Sequence, residues 1–299
     1  MPETIECVPN FSEGRRKEVI NKIVHSIQSV PGTKILDVES DPDHNRSVVT
    51  FVGSKTSIQE AAFQGAKTAA ELIDLNKHEG QHPRMGALDV LPFVPIEGAT
   101  MQDCVEIANK VGARIAKDLK IPVYLYDDAA RTPERRNLES VRKGQFEGIR
   151  ETIRLDDSRI PDYGPRAVHP TAGAVAVGAR MPLIAFNIDL RTKDIKVAKE
   201  IAKKIRTSGG GLPHLKALGL YLEARGMAQV SMNLTNYKVT SMSTVFDRVK
   251  QEASARGVEI AHGEIIGLVP LDAVCDLAAK YINLAALPSN LVLERRIWG

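Results

Sequence analysis

Lys34-Ile35-Leu36-Asp37-Val38-Glu39-Ser40-Asp41-Pro42-Asp43-His44-Asn45-Arg46-Ser47-Val48-Val49-Thr50-Phe51-Val52 is the stretch on which the fold turns. Two runs, Lys34 to Val38 and Arg46 to Val52, are rich in aliphatic and β-branched residues and flank the turn-rich Ser40-Asp41-Pro42-Asp43. Runs of this kind read as two strands joined by a turn. Upstream, Val19, Ile20, Ile23, Val24 and Ile27 recur at helical spacing, and Pro31-Gly32 ends them. Thr4 to Pro9 alternates as a short strand, and Asn10 to Gly14 reads as a turn. Downstream, Ser57 with Glu60 predicts a capping box, opening a helix that carries Ile58, Ala61, Ala62, Ala66, Ala69, Leu72 and Ile73. Val90 to Ile96 follows as a strand. The order strand-helix-strand-strand-helix-strand is the split βαβ arrangement.

Thr100 and Asp103 open a further helix with Val105, Ala108, Val111 and Ile115 inward, and Pro122 to Tyr126 is a strand. The second half repeats the six-element order without a residue-level repeat. Leu183 to Leu190 is a strand, and Thr192 caps a helix carrying Ile195, Ala198, Ile201 and Ile205. Leu215 to Leu222 and Gln229 to Leu234 are strands around Gly226. A helix with Val245, Phe246, Val249 and Ala253 precedes a strand, Val258 to Val269, that Gly263 interrupts. Two such sheets each keep one face bare of helices. Packing those faces together buries them, with a cleft between the halves as the default ligand site. The expectation is an α/β (α+β) chain of two subdomains, 1–178 and 179–299. Between them, Asp127 to Gly173 is rich in proline, glycine and charge, and reads as a binding loop or linker. The apolar run Leu284 to Leu293 is a candidate homodimer interface, or a last piece of the second sheet.

The 299 residues suit about two domains of roughly 150 residues each. With 43% hydrophobic and 26% charged residues the chain has enough apolar side chains for a sizeable core. Net charge is +3 with no basic run, which argues against nucleic acid as a partner. No apolar stretch reaches membrane length, and the polar start MPETIECVPN is not a signal peptide. Cys7, Cys104 and Cys275 are isolated and odd in number, as reduced buried thiols of a cytoplasmic protein would be.

Chemistry concentrates in Gly80-Gln81-His82-Pro83-Arg84-Met85-Gly86-Ala87-Leu88-Asp89. Residues that bend the chain stand beside residues that move protons or hold anions. Read from His78 the same letters also satisfy HExxH, the zinc-peptidase pattern. That pattern needs a helix to bring both imidazoles to one metal. Gly80 costs about 1 kcal/mol in a helix, and Pro83 pushes His82 out of the helical region. No third ligand stands at a zincin spacing, so no metal is expected. From context alone, a catalytic His82 and a structural loop histidine are equal readings.

Several unusual runs occur in one order. They are Glu6-Cys7-Val8-Pro9-Asn10-Phe11-Ser12-Glu13-Gly14, the HPRMGALD run from His82, Pro122-Val123-Tyr124-Leu125-Tyr126, Leu183-Ile184-Ala185-Phe186-Asn187-Ile188 and Gly267-Leu268-Val269-Pro270. Together they resemble the glutamate formiminotransferase family, from about Thr4 to Arg296. The resemblance implies two ferredoxin-like subdomains whose sheets face each other around a folate-binding tunnel. It implies transfer of a formimino group from N-formimino-L-glutamate to tetrahydrofolate, with or without a polyglutamate tail, in histidine breakdown. It makes His82 the catalytic residue. It makes Gly164-Pro165-Arg166-Ala167-Val168-His169-Pro170-Thr171-Ala172-Gly173 the folate-binding stretch, where Arg166 and His169 are more basic than the animal enzymes look. The sequence carries no cyclodeaminase region after Gly299, so the expectation is a stand-alone transferase whose product passes to a separate enzyme.

The implied reaction fits the residues. A ring amine attacks an amidine carbon, and the attacking amine loses a proton while the departing amine gains one. An imidazole with an ordinary pKa near 6.5 can do both. Glu39 or Asp89 is a candidate to orient it. Glutamate and folate both carry carboxylates, which arginine forks bind. Arg46, Arg84 and Arg131 are the candidates for this, and Arg166 lies in the folate stretch. Asn187 ends a buried strand and is a supporting candidate toward the pterin. A formyl donor, N-formyl-L-glutamate giving 5-formyl-tetrahydrofolate, uses the same sites. Remoter alternatives are the zinc peptidase and a non-catalytic folate-binding module.

Overall fold

The computed structural model describes residues 3–80, 82–223 and 225–298. Gln81, in the middle of the HExxH pattern and next to His82, lies outside the described residues. The chain divides into two compact units, Met1–Arg180 and Met181–Gly299.

The first unit runs β1 (Thr4–Cys7), β2 (Asn10–Phe11), α1 (Lys17–Gln28), β3 (Thr33–Asp41), β4 (Arg46–Gly53), α2 (Lys55–Leu72), β5 (Leu88–Glu97), α3 (Met101–Leu119), β6 (Val123–Asp127), α4 (Leu138–Arg142), α5 (Gln145–Thr152) and β7 (Val175–Ala179). Its seven strands form one sheet. β4 pairs with β3 on one side and with β1 and β2 on the other, and β5 pairs with β1, β2 and β7. All these pairings are antiparallel except β5–β7 and β7–β6, which run parallel. Among β1, β3, β4 and β5, the order across the sheet is fourth, first, third, second.

Each expected helix presents its apolar stripe inward. Val19, Ile20, Ile23 and Ile27 of α1, Ile58, Ala61, Ala62, Ala66 and Ala69 of α2, and Ala108, Val111 and Ile115 of α3 are buried. All of these except Ile20 share one core with Ile5, Phe51, Leu91, Phe93, Val175 and Val177 of the sheet. Burying one of the valine or isoleucine side chains is worth on the order of 1.5–3 kcal/mol. The other face of the β5–β7–β6 half is covered by α4 and α5, whose Val141 and Ile149 meet Val90, Tyr124, Tyr126 and Ala176.

Several local expectations need correction. The capping box of α2 is Ser54 with Ser57, one turn earlier than Ser57 with Glu60. Glu60 instead accepts from Arg114 and Gln64. Asn10–Phe11 continues the sheet as β2 where a turn was expected. Pro9 has no N–H, but its carbonyl still takes the Val49 N–H at 3.1 Å, so pairing resumes at once. The stretch from Asp127 to Gly173 is not irregular throughout, since α4 and α5 lie in it. Val175–Ala179, given no element from sequence, is a central strand, and Gly178 lies within it. Its alanines and glycine weaken the strand signal, while the parallel neighbours on both sides supply the ladder.

The second unit runs β8 (Ile184–Leu190), α6 (Ile195–Ile205), β9 (Leu215–Leu222), β10 (Met227–Leu234), α7 (Met242–Ser254), β11 (Ile260–Ile266), α8 (Leu271–Tyr281) and α9 (Leu293–Trp298). Its four strands are all antiparallel in the order β11-β8-β10-β9, again fourth, first, third, second. Ile188, Leu190, Val230 and Met232 on one face pack with Ile201, Ile205, Val245 and Val249 of the helices. Asp194, not Thr192, caps α6 through its carboxylate. The Thr192 hydroxyl accepts the Asp194 N–H one step earlier. β11 shifts register between Ile260 and His262, while Gly263 pairs regularly with Ile188. Leu284 to Leu293 adds no strand to the second sheet; it passes through a short 3-10 turn at Ser289–Leu291 and enters α9.

Among the described residues, no helix is long and apolar enough to cross a membrane. Cys7, Cys104 and Cys275 are free and buried.

Candidate active site

The loop that follows His78 is fastened at its far end, Met85 to Ala87, by backbone pairing. The Ala87 N–H donates to Ala172 and the Ala174 N–H to Met85, so Gly86 and Gly173 face each other in an isolated bridge. Contact there is too close for side chains. A Cβ on Gly86 would stand 1.9 Å from the Ala174 carbonyl, and one on Gly173, at φ +72°, 2.3 Å from the Met85 carbonyl. The Ser12 hydroxyl donates to the Gly86 carbonyl at 2.7 Å, and the Ser12 N–H to Ala87 at 2.9 Å. The expected folate stretch therefore ends against the HPRMG run.

A shallow cleft opens beside this loop, lined by Asn10, Phe11, Ser12, His44, Asn45, Arg46, His78, His82, Arg84 and Asp89. Four residues singled out from sequence, Arg46, His82, Arg84 and Asp89, thus meet at one place. His82 is half-buried, with the His44 ring edge-on at 6.3 Å between centroids. Burial first, then the charges of Arg46 and Arg142, push its pKa down to about 3, against a weaker lift from a hydrogen bond to the Pro83 backbone. The ring is therefore neutral near pH 7 and carries a free lone pair. An unprotonated imidazole lining a cleft can accept a proton, and the burial and charges that keep it neutral also make it a weaker base than a free imidazole.

Arg84 is held rather than free. Its Nη1 and Nη2 bond both carboxylate oxygens of Glu147 on α5 at 2.9 and 2.7 Å. Its Nε donates to His78 Nδ1 at 3.1 Å, which leaves His78 Nε2 as the donor to the Asn45 carbonyl at 2.9 Å. The Phe146 N–H also closes on the Arg84 carbonyl. Both ring nitrogens of His78 are thus used within the protein, and His78 to Gly80 is not helical, so the zinc-peptidase geometry lacks its helix.

Asp89 is 2% exposed. Its Oδ1 accepts the Met85 N–H and its Oδ2 accepts from Arg142 Nη2, both at 2.7 Å. Burial raises its pKa, while Arg142, the Met85 N–H and Arg46 oppose the rise. Arg46 on β4 donates through Nη2 to the Asn10 side-chain oxygen. Glu39 lies on β3 opposite Val48, near enough for its charge to act on Arg46.

The remaining candidates sit elsewhere. Arg131 stacks over the Tyr163 ring at 4.5 Å and donates to the Asp162 carbonyl. Arg166 bonds the Ile153 carbonyl and the Asp157 carboxylate. His169 Nδ1 accepts the Ala172 N–H at 3.0 Å, and the His169 and Gly173 backbones pair with each other. Asn187, in the second unit, bonds Glu264 and the Met232 N–H.

Sequence reasoning missed Asn10, His44, Asn45, Glu147 and Arg142. Asn45 carried a signal, because it follows a Pro-Asp turn and takes φ +48°, a region that asparagine tolerates. Its amide ties the Gly14 N–H to the Glu79 carbonyl. Arg142 and Glu147 carried none, since both lie in the segment read as irregular.

The chain is similar to known proteins along its whole length. The chain is 53% identical over 300 residues to the glutamate formimidoyltransferase of Streptococcus pyogenes serotype M1, covering 100% of each. It is 45% identical to the glutamate formimidoyltransferase of Thermoplasma acidophilum, covering 98% of this chain and 97% of that one. The formimidoyltransferase-cyclodeaminase of Mus musculus is 44% identical over 95% of this chain, which spans 53% of that longer protein. Residues 4–180 match the N-terminal subdomain of the formiminotransferase domain and residues 185–294 match the formiminotransferase domain, so the chain belongs to the formiminotransferase family.

Proposed function

We propose that this protein transfers the formimino group of N-formimino-L-glutamate to tetrahydrofolate, releasing L-glutamate and 5-formimino-tetrahydrofolate, as a step of histidine degradation. One observation carries the reading: His82, of the family's HPRMG run, is a neutral imidazole in a cleft beside the cationic Arg46. His82 accepts the proton of the attacking folate amine as that nitrogen bonds the amidine carbon. It returns a proton to the glutamate nitrogen as the old C–N bond breaks. Because burial and two arginines disfavour its charged form, the protonated ring gives its proton up readily. Such a base supplies about 10²- to 10⁴-fold in rate.

The stretch from Gly164 to Gly173 is the proposed folate contact. Support comes from its end, which is clamped on the backbone of Met85 to Ala87. The fourth-first-third-second strand order supports reading each unit as ferredoxin-like. The first unit serves as the N-terminal and the second as the C-terminal formiminotransferase subdomain. A cytoplasmic site of action accords with three free, buried thiols.

The test is an absorbance time course with tetrahydrofolate and either N-formimino-L-glutamate or N-formyl-L-glutamate, run on the wild type and His82→Ala. Turnover of the formimino donor by the wild type, lost in the variant, is the expected result. Faster turnover of the formyl donor would replace the donor assignment. No turnover of either donor would overturn the transferase.

A further inference from the structure

Most guanidiniums near His82 have their charge answered, and one does not. Arg84 is bound by both oxygens of Glu147. Arg142 is paired with Asp89 at 2.7 Å, with only 14% and 3% of their side chains exposed. Arg46 lines the cleft, yet among the described residues it has no carboxylate partner and makes one hydrogen bond, to the neutral Asn10 side chain. Its Nε is buried without a partner, as is that of Arg142. A buried donor left in that condition is unfavourable unless something else fills it.

Asp89 would be the natural counter-ion, since its charge is felt at Arg46. Both of its oxygens are already taken, one by the Met85 N–H and the other by Arg142. Glu39 and Asp41 act on Arg46 more weakly. Asp41 is half-exposed, and its carboxylate is engaged by His44 and by the amides of its own turn. Two cations therefore share one buried carboxylate. A second carboxylate, brought by a ligand, would balance the pair.

We propose that the Arg142–Asp89 pair keeps Arg46 uncommitted and so reserves it for a carboxylate of the donor's glutamate moiety. This rests on the transferase reading above. Arg46 touches the substrate; Arg142 is a positioning residue that acts through Asp89. Without Arg142, Asp89 turns its charge toward Arg46 and competes with the substrate for the same fork. The guanidinium plane, with two parallel N–H donors, suits a carboxylate better than a neutral group.

The experiment uses Arg142→Gln, Asp89→Asn and the double variant in the full chain. It reads KM for N-formimino-L-glutamate, KM for tetrahydrofolate, and calorimetric binding of L-glutamate to the folate-free protein. Arg142→Gln should raise the donor KM and the glutamate Kd about 10- to 100-fold, the loss of a charge-assisted bond, with KM for tetrahydrofolate unmoved. Asp89→Asn keeps an acceptor for the Met85 N–H while removing the competing charge, so donor KM should fall. The double variant should return to within about threefold of wild type, a coupling expected only where the two residues act on one another. Melting curves report whether each variant folds. If Arg142→Gln does not fold, the double variant decides, because it holds no unpaired buried carboxylate. A folded double variant with glutamate binding weakened tenfold or more would overturn the proposal. So would a shift in KM for tetrahydrofolate in place of the donor. A wild type that binds glutamate in this pattern but never turns over would sink the transferase reading and leave the carboxylate seat standing.

Discussion

Four strands of the first sheet and the four of the second share one strand order, and each sheet carries a buried aspartate, Asp89 on β5 and Asp189 on β8, but the charges around them are arranged oppositely. In the second unit Asp189 is 1% exposed and fully answered: Arg225 donates at 2.9 Å and Gln229 at 2.7 Å, with His262 at 3.3 Å. Arg225 continues to Glu264, which also takes Asn187 and Gln229. Arg225, Gln229, Asn187 and His262 each meet a carboxylate within the unit. In the first unit Asp89 answers Arg142 alone, and Arg46 keeps donors to spare beside His82. A saturated network holds strands together, whereas an unsaturated one waits for a ligand. The same topology therefore supports structure in one unit and chemistry in the other.

The largest test of that contrast is His82→Ala, for which kcat should fall about 10²- to 10⁴-fold while the melting midpoint stays near wild type. A fall of less than tenfold would move the proton transfer to another group in the cleft. Next is the latch under the loop. Glu147→Gln removes the carboxylate fork that holds Arg84, and kcat should drop about 10-fold through misplacement of His82, read by steady-state rates at saturating substrates. Rates equal to wild type would show that the Ala172–Ala87 and Ala174–Met85 hydrogen bonds position the loop unaided. Asp189→Ala should act on stability instead. It leaves the Gln229 amide and Arg225 short of an acceptor, costing about 1–3 kcal/mol in urea unfolding, with kcat per folded molecule changed less than about threefold. Lost turnover with unchanged unfolding would make the second network a binding site as well.

The last test is in pH. The pKa of His82 is depressed in the folded protein, to about 3, from an ordinary value near 6.5. The unfolded chain then binds more protons between those values. Stability from keeping this ring neutral is full above pH 6.5 and is lost as the pH falls toward 3. For the same reason kcat/KM in the free enzyme should lack an acid limb near 6.5 and show it lower. Comparing the stability profiles of wild type and His82→Gln checks the sign: the variant should lose less stability on acidification over that interval.

Much of this was legible without coordinates. Strand and helix periodicity marked Val19 to Ile27, Arg46 to Val52 and Ile195 to Ile205 because each element buries a face set by its own repeat. The His82 loop stood out because glycines and a proline flank ionisable groups. β7 did not stand out, since Val175-Ala176-Val177-Gly178-Ala179 owes its strand to two parallel neighbours rather than to its own propensity. The caps of α2 and α6 shifted because several hydroxyl and carboxylate side chains stood within one turn of each helix start, and only local geometry chose among them.

The arginines show where sequence stops. Residue type made Arg46, Arg84 and Arg131 equal candidates for a carboxylate, because a guanidinium carries the same five donors wherever it stands. Folding made them unequal. Glu147 lies 63 positions from Arg84 and Arg142 lies 53 from Asp89, and no local pattern announces either pairing. The elements, the helix faces and the reactive loop follow from short-range periodicity and backbone chemistry. Which charges are already matched, and which is left for a substrate, depends on contacts between distant segments and was decided only when the chain closed on itself.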